Sequence, residues 1–259
     1  MHLLHVDSQG GLHQTKFMGN NTPSYAILSH TWEVDNQEVT FEDIINGVGR
    51  IKAGYGKIRF CAEQASRDNL QFFWVDSCCI DKSSSVELSE AINSMYRWYR
   101  SAAKCYVYLT DVATSGPNQI TQHSQAQIEL AFQRSRWFTR GWTLQELLAP
   151  PSLQFFSREG TLLGDKTSLQ LQIHEITGIS LLALQGRPLC QFSVAERMAW
   201  AAKRKTTIEE DQAYCLMGIF DVHLPLIYGE GMENAFRRLR KEIPTSGSEL
   251  FKLIKMSCI

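Results

Sequence analysis

The residues with the clearest chemical potential lie in the segment 140–146, RGWTLQE. Trp142 and Glu146 are four residues apart, so in a helix they share one face and present an aromatic surface beside a carboxylate. Such a pair suits a ligand with a cationic heteroaromatic ring. Arg140 precedes this pair, and two interpretations of its guanidinium stay open: it binds a phosphate group, or it pairs with a carboxylate.

A second set of polar and aromatic residues follows the first two strands of a predicted sheet. In an open parallel sheet, ligands bind in the crevice beyond the carboxyl ends of the strands. The sequence therefore predicts a binding cleft at this edge, and the residues expected to line it are Ser29, His30, Trp32, Asp76, Ser77 and Cys78.

Strands and helices alternate along the part of the chain that carries these residues. Short apolar runs predict strands at 24–29, 71–76, 103–109 and 152–157. Apolar spacing and capping signals predict helices after Gly56, after Ser84, over 125–134 and over 142–148. Because such alternation requires right-handed crossovers between parallel strands, it predicts an α/β fold with helices on both faces of the sheet.

The chain divides into four predicted regions. They are an N-terminal arm with one short strand (1–23), an α/β core (24–164), a helical C-terminal subdomain (165–243) and a tail (244–259). A polar insertion containing the turn signal GPN at 116–118 interrupts the core between 111 and 123. In the C-terminal subdomain, Ser193 with Glu196 and Thr207 with Glu210 have the spacing of capping boxes.

Composition restricts the classes of partner. The 259 residues are 44% hydrophobic, and 26 basic residues stand against 27 acidic ones, which disfavours nucleic acid and anionic membrane surfaces. The seven cysteines lack disulfide-framework spacing and are expected to be reduced. No metal-ligand spacing, nucleotide-binding glycine motif, membrane span or signal peptide is found, so we expect no metal and a cytoplasmic location.

Each candidate also has a structural interpretation. Trp142 could be a core residue, and His30 and Asp76 could simply hydrogen-bond loops. Cys78 could pack in the core or serve as the nucleophile of a cysteine-dependent hydrolase, although no neighbour in the sequence indicates a lowered thiol pKa.

Several blocks of the chain resemble the fungal heterokaryon-incompatibility (HET) domain. The similarity extends to the subgroup attached to NACHT and WD-repeat modules, and it covers nearly the whole chain. The blocks are YAILSHTW (25–32), FWVDSCCIDK (73–82), RGWTLQEL (140–147), AERMAW (195–200), EDQAYCLMGIF (210–220) and PLIYGEG (225–231).

The HET family is in turn remotely similar to Toll/interleukin-receptor (TIR) domains, and WTLQEL at 142–147 is similar to the TIR motif that carries a glutamate. The resemblance implies a TIR-like, flavodoxin-like, mostly parallel sheet. In TIR enzymes the glutamate matching Glu146 supports cleavage of the nicotinamide–ribose bond of NAD. The resemblance therefore implies that NAD is a substrate rather than a cofactor. It also implies that Ser29, His30 and Asp76 line the nucleotide site and that Trp142 shapes it.

The chemistry is physically consistent with one carboxylate. Nicotinamide leaves as a neutral molecule, so no acid is needed to protonate it, and Glu146 would stabilise the oxocarbenium-like state. By resemblance, the chain is expected to be a cell-death effector that forms homo-oligomers and works with a NACHT/WD-repeat sensor. The alternative is a non-enzymatic adaptor that acts by homotypic oligomerisation. The helices after Ser168 have no TIR counterpart, and they could cover the cleft, bind a partner or inhibit the domain.

Overall fold

The computed structural model describes residues 1–32, 36–114 and 124–244. Over these residues it contains seven strands: β1 His2–Val6, β2 Leu12–Lys16, β3 Tyr25–His30, β4 Phe72–Trp74, β5 Lys104–Tyr108, β6 Leu153–Phe156 and β7 Leu162–Asp165. The helices are α1 Phe41–Ile45, α2 Tyr55–Arg67, α3 Asp76–Cys79, α4 Ser85–Ser101, α5 Gln125–Gln133, α6 Thr143–Leu148, α7 Gln170–Thr177, α8 Leu181–Leu184, α9 Val194–Ala201, α10 Asp211–Tyr214, α11 Met217–Phe220 and α12 Met232–Glu242. Short 3-10 turns occur at Gly19–Asn21, Gly49–Ile51, Arg136–Thr139 and Leu189–Gln191.

The strands form one mixed sheet in the order β2-β1-β4-β3-β5-β6-β7. The central strands β4, β3, β5 and β6 are parallel, and the outer pairings are antiparallel. Counted along the chain, the parallel strands have the flavodoxin-like order 2-1-3-4. The predicted α/β, flavodoxin-like fold is confirmed, and the four predicted strands are β3 to β6.

The burial pattern explains why the apolar runs in the sequence predict the central strands. Every residue of β3 is buried, because helices cover both faces of a parallel sheet. The crossovers from β3 to β4 and from β4 to β5 run in opposite directions along the sheet, so α2 and α4 lie on opposite faces. Helix α6 packs against α4 and β3, which brings the segment 140–146 to the second of these faces.

The N-terminal arm differs from its prediction. Only one short strand followed by irregular chain was expected, whereas 12–16 form β2 and pair with β1 as an antiparallel hairpin. Asp7 stabilises the turn, because its Oδ1 accepts hydrogen bonds from the backbone N–H groups of Gln9 (2.8 Å) and Gly11 (2.7 Å). Leu4 of β1 then pairs with Phe73 of β4, so the hairpin extends the sheet.

One of the two predicted C-terminal capping boxes is wrong. Ser193 and Glu196 form a full capping box on α9. Thr207 and Glu210 do not, because the Glu210 carboxylate instead accepts the backbone N–H groups of Gly229 (2.8 Å) and Gly231 (2.9 Å). Glu210 therefore connects the start of α10 to the glycine-containing turn at 229–231.

The predicted helical C-terminal region is confirmed as α7 to α12, and it packs on the core. Asn93 of α4 exchanges two hydrogen bonds of 3.1 Å with the backbone of Leu224, and Lys205 pairs with Arg140 as an isolated parallel bridge. The region boundaries at 23, 164 and 243 stay predictions. The GPN turn at 116–118 and 245–259 of the predicted tail lie outside the described residues.

Within the described ranges, none of the helices combines the length and the apolar character needed to cross a membrane.

Candidate functional site

The carboxyl ends of the parallel strands β3 and β5 lie at the predicted ligand-binding edge of the sheet. These neighbouring strands are the point where the crossovers change face, which is where open α/β sheets bind ligands. Ser29 and His30 are the last two residues of β3, and Asp76 opens α3 directly after β4. The topology therefore brings three of the predicted site residues to one edge.

Glu146 is joined to this edge by a buried hydrogen-bond chain. The indole Nε1–H of Trp137 donates to Ser29 Oγ over 2.8 Å, and the Ser29 hydroxyl donates to Glu146 Oε2 in a short contact. Ser29 and Trp137 are fully buried, and Glu146 is 5% exposed. The Ser29 hydroxyl favours the ionised form of Glu146, and the Trp137 N–H holds Ser29, so Ser29 is the link that positions the carboxylate.

The surroundings of Glu146 disfavour the ionised form of its carboxyl group. Burial, followed by the negative charge of Asp76, raises the pKa of Glu146 from about 4.5 to about 8. The Ser29 hydrogen bond, the Arg140 guanidinium and the Tyr99 hydroxyl oppose this rise. At neutral pH the carboxyl thus holds a proton that a nearby positive charge can displace, because a cation stabilises the ionised form.

A second cluster surrounds Asp76. His30 Nε2 lies 3.0 Å from Asp76 Oδ1, and the indole Nε1–H of Trp32 donates to Asp76 Oδ2 over 2.8 Å. Burial, followed by the charges of Lys57, Arg140 and Lys82, lowers the pKa of His30 well below its usual range. A neutral imidazole must then donate its Nε2–H to Asp76.

Trp32 forms the outer wall of this second cluster. It is 36% exposed, and Lys82 Nζ lies 3.7 Å from the centroid of its ring. The ring face therefore already attracts a cation.

The two clusters meet at the strand end. Successive residues of a strand point to opposite faces, so Ser29 directs its side chain toward α6 and His30 toward α3. The carboxylates of the two clusters, Glu146 and Asp76, still interact, because the negative charge of Asp76 contributes to the raised pKa of Glu146. A cation bound between the clusters would be stabilised by both groups.

Arg140 and Trp142 lie beside the C-terminal region. The indole Nε1–H of Trp142 donates to Asp211 Oδ2 over 3.0 Å, while Glu146 binds Ser29, so the predicted pair make separate contacts. Arg140 is half-buried and forms no ion pair with any described residue, although its charge partly opposes the burial that raises the pKa of Glu146 and of Asp211. An anionic group of a ligand could therefore pair with it.

Ser77 and Cys78 are buried in α3 and do not join the hydrogen-bonded clusters. Burial raises the pKa of the Cys78 thiol well above its usual range. Since a nucleophilic cysteine needs a lowered pKa, this environment disfavours the cysteine-hydrolase interpretation.

Two buried cations hold the helix that carries Glu146. Before α6, Arg204 Nη1 donates to the Arg140 carbonyl (2.9 Å) and to Thr143 Oγ1 (2.8 Å). After it, Lys166 Nζ donates to the carbonyls of Leu147 (3.3 Å) and Pro150 (2.7 Å). Orphan carbonyls at a buried helix end need such donors, so α6 is fixed at both ends.

Gly141 permits a close backbone approach beside this helix. Its N–H donates to the Lys205 carbonyl over 2.8 Å, and a Cβ at position 141 would lie 2.5 Å from Thr206 Cγ2. Any larger residue at position 141 would require the Thr206 side chain to shift.

Sequence reasoning missed two direct partners of the site, Trp137 and Asp211. Trp137 lies just before the segment 140–146, and Asp211 lies in one of the blocks that carried the family resemblance. For Asp211 the available signal was a polar side chain inside such a block, and for Trp137 it was an indole three residues before one. The described residues include no group of three or more His, Cys, Asp or Glu side chains arranged to hold a metal ion.

Comparison with known proteins identifies the family. The family model for the heterokaryon incompatibility protein (HET) matches residues 25–130. The chain is 59% identical over 244 residues, or 94% of its length, to the vegetative incompatibility protein HET-E-1 of Podospora anserina, and it spans 18% of that relative. No solved structure matches the chain. Because a family model and a close relative agree, this chain carries a heterokaryon incompatibility (HET) domain.

Proposed function

We propose that this chain is the cell-death effector part of a fungal self/non-self recognition protein and that it hydrolyses the nicotinamide–ribose bond of NAD. The observation that carries the proposal is the buried, proton-binding Glu146 at the carboxyl edge of β3, held by Ser29 and Trp137. A strongly raised pKa caused by burial together with a specific charged neighbour is typical of functional carboxyls. The vegetative incompatibility named for the relative supplies the biological role.

The positive charge of the nicotinamide ring drives the first step. Its approach to Glu146 and Asp76 favours the ionised form of Glu146, so binding of NAD releases a proton from the site. The same charge suits the indole face of Trp32, where the nicotinamide ring would replace the Lys82 ammonium. Arg140, which has no ion pair among described residues, would bind the pyrophosphate.

Bond cleavage then needs little acid catalysis. As the bond between ribose C1′ and the nicotinamide nitrogen breaks, its electron pair leaves with neutral nicotinamide, and positive charge develops on the ribose. The Glu146 carboxylate stabilises that charge in a low-dielectric site. Water adds to C1′, and the products are ADP-ribose, nicotinamide and a proton.

Nicotinamide release from NAD tests this function directly. Purified protein, concentrated or artificially oligomerised, is incubated with NAD, and Glu146→Gln is compared with Glu63→Gln. Glu63 is an exposed glutamate of α2, so Glu63→Gln makes the same replacement away from the candidate site. We expect turnover in the wild type and in Glu63→Gln, and its loss in Glu146→Gln. Absence of turnover in every assembled state would refute NAD hydrolysis.

A non-enzymatic adaptor is the second candidate, and one surface feature favours it. Three apolar side chains of the segment 45–51 are exposed, with Ile51 at 92%, Ile45 at 63% and Val48 at 52%. Exposed apolar clusters often mark interaction sites. A cell-killing assay separates the two candidates. If the chain is an adaptor, the Glu146→Gln variant remains toxic and the Ile51→Asp variant loses toxicity. If the chain is an enzyme, the Glu146→Gln variant loses toxicity. In either case we propose that a NACHT/WD-repeat module supplies the sensor.

A further inference from the structure

A groove of about 690 Å³ lies outside the cleft, between α7, α8 and α9. Its size is within the range of small-molecule sites. Phe138 and Trp200, both largely buried, contribute aromatic surface, and Arg204 and Lys203 contribute positive charge.

Arg204 is the unusual member of this lining. It is 5% exposed, and its Nη2 has no hydrogen-bond partner in the part of the chain that the structure describes, while Nη1 holds Arg140 and Thr143. No described carboxylate pairs with it, and its burial lowers the guanidinium pKa to about 10. A buried cation without a counter-charge is costly, so an anion in the groove would be strongly favoured.

The rim limits which anion fits. Glu175 and Glu196 are exposed lining residues, and the Glu196 carboxylate is already used to cap α9 through Ser193. These two acids repel polyanions such as pyrophosphates. The aromatic walls in turn favour a planar apolar body.

We propose that this groove is a second ligand site, for a small aromatic monocarboxylate whose carboxylate pairs with Arg204 and whose ring packs between Phe138 and Trp200. This proposal does not depend on the proposed NAD cleavage. Arg204 also donates a hydrogen bond to the Arg140 carbonyl, so a ligand bound to Arg204 would contact a residue that holds the segment 140–146.

Titration of the full chain with 1-naphthoate tests the site, with neutral 1-naphthalenemethanol as the matched ligand. Binding is followed by 19F NMR of 5-fluorotryptophan-labelled protein, in which the Trp200 resonance is assigned from Trp200→Phe. We expect a saturable shift of the Trp200 resonance with 1-naphthoate and an affinity for the neutral analogue that is lower by about tenfold or more.

A substitution that fills the groove keeps Arg204 and its contacts intact. Ala199 is an exposed lining residue of α9, and Ala195, also exposed on α9, does not line the groove. We expect Ala199→Phe to weaken 1-naphthoate binding about tenfold or more, and Ala195→Phe to leave it unchanged. The proposal is overturned if the Trp200 resonance shows no saturable shift, if both ligands bind equally, or if Ala199→Phe binds like the wild type.

Discussion

Glu146 combines two properties that oppose each other, burial and charge. Its carboxyl lies in the interior beside Asp76, and both features penalise ionisation. A residue kept only for stability would avoid this position, since an amide could accept the Ser29 hydrogen bond without any charge. The carboxyl is therefore retained at a cost in stability, which is characteristic of functional residues.

That cost should be visible in the Glu146→Gln variant. The pKa is near 4.5 in the unfolded chain and about 8 in the folded one, so the folded state binds more protons between these values. Stability therefore falls as pH rises through this window, by about 1.4 kcal/mol per pH unit from this group. We expect urea unfolding to show a stability gain of Glu146→Gln over wild type that grows from pH 5 to pH 8. A variant that unfolds at both pH values would indicate a structural role instead.

The same pKa predicts the pH dependence of NAD cleavage. If the ionised carboxylate stabilises the transition state, kcat/KM rises about tenfold per pH unit below pH 8 and levels off above it. Nicotinamide release measured from pH 5.5 to 9.5 checks the profile. A rate that is flat over this range would mean that the carboxyl of the free enzyme does not titrate in the reaction.

Ser29 should move that profile without forming part of the reacting groups. Ser29→Ala removes a donor that favours the ionised form, so it raises the pKa of Glu146 further and shifts the profile to higher pH. It also leaves the Trp137 N–H without its partner, at a cost of about 1–3 kcal/mol. Ser157→Ala is the control, because Ser157 is equally buried but binds Glu159 away from the cleft. An unshifted profile would show that Ser29 is only structural.

At the scale of elements, α6 depends on donors from outside itself. It has six residues, too short to be stable alone, and Lys166 supplies hydrogen bonds to two carbonyls at its end. Lys166→Met keeps the apolar stem but leaves these carbonyls unpaired, at about 1–3 kcal/mol. We expect reduced thermal stability and a lower kcat for NAD, whereas Lys241→Met on the exposed side of α12 changes neither. A destabilised variant with full kcat would limit Lys166 to a structural role.

The elements also show what sequence could and could not predict. Strands β3 to β6 were predicted because two covered faces demand continuous apolar runs. The edge strands β2 (LHQTK) and β7 (LLGD) were not, since a short, partly exposed strand carries no such pattern. Ser29 and Glu146 were each identifiable at strand or helix ends, but their contact joins positions 117 apart, and only the topology creates it.

At the scale of the whole molecule, the C-terminal helices complete the core of the α/β region. Lys205 pairs with the 139–141 backbone, α11 packs against α4, and Asp211 binds the indole of Trp142. Removal of these helices would leave buried backbone groups unpaired and apolar surface exposed. The family model, which matches residues 25–130, thus ends before the helices that complete this core.

Truncation at the predicted boundary tests this dependence. We expect a 1–164 fragment to lack a cooperative thermal transition and to release no nicotinamide from NAD, because Arg204 no longer holds Arg140 and Thr143. A 1–244 fragment, which keeps every described helix, should melt and react like the full chain. Circular dichroism melts and the nicotinamide assay distinguish three roles of the helices. A folded, hyperactive 1–164 fragment would make them inhibitory, a folded fragment with wild-type activity would make them a separate module, and an unfolded fragment makes them part of the catalytic scaffold.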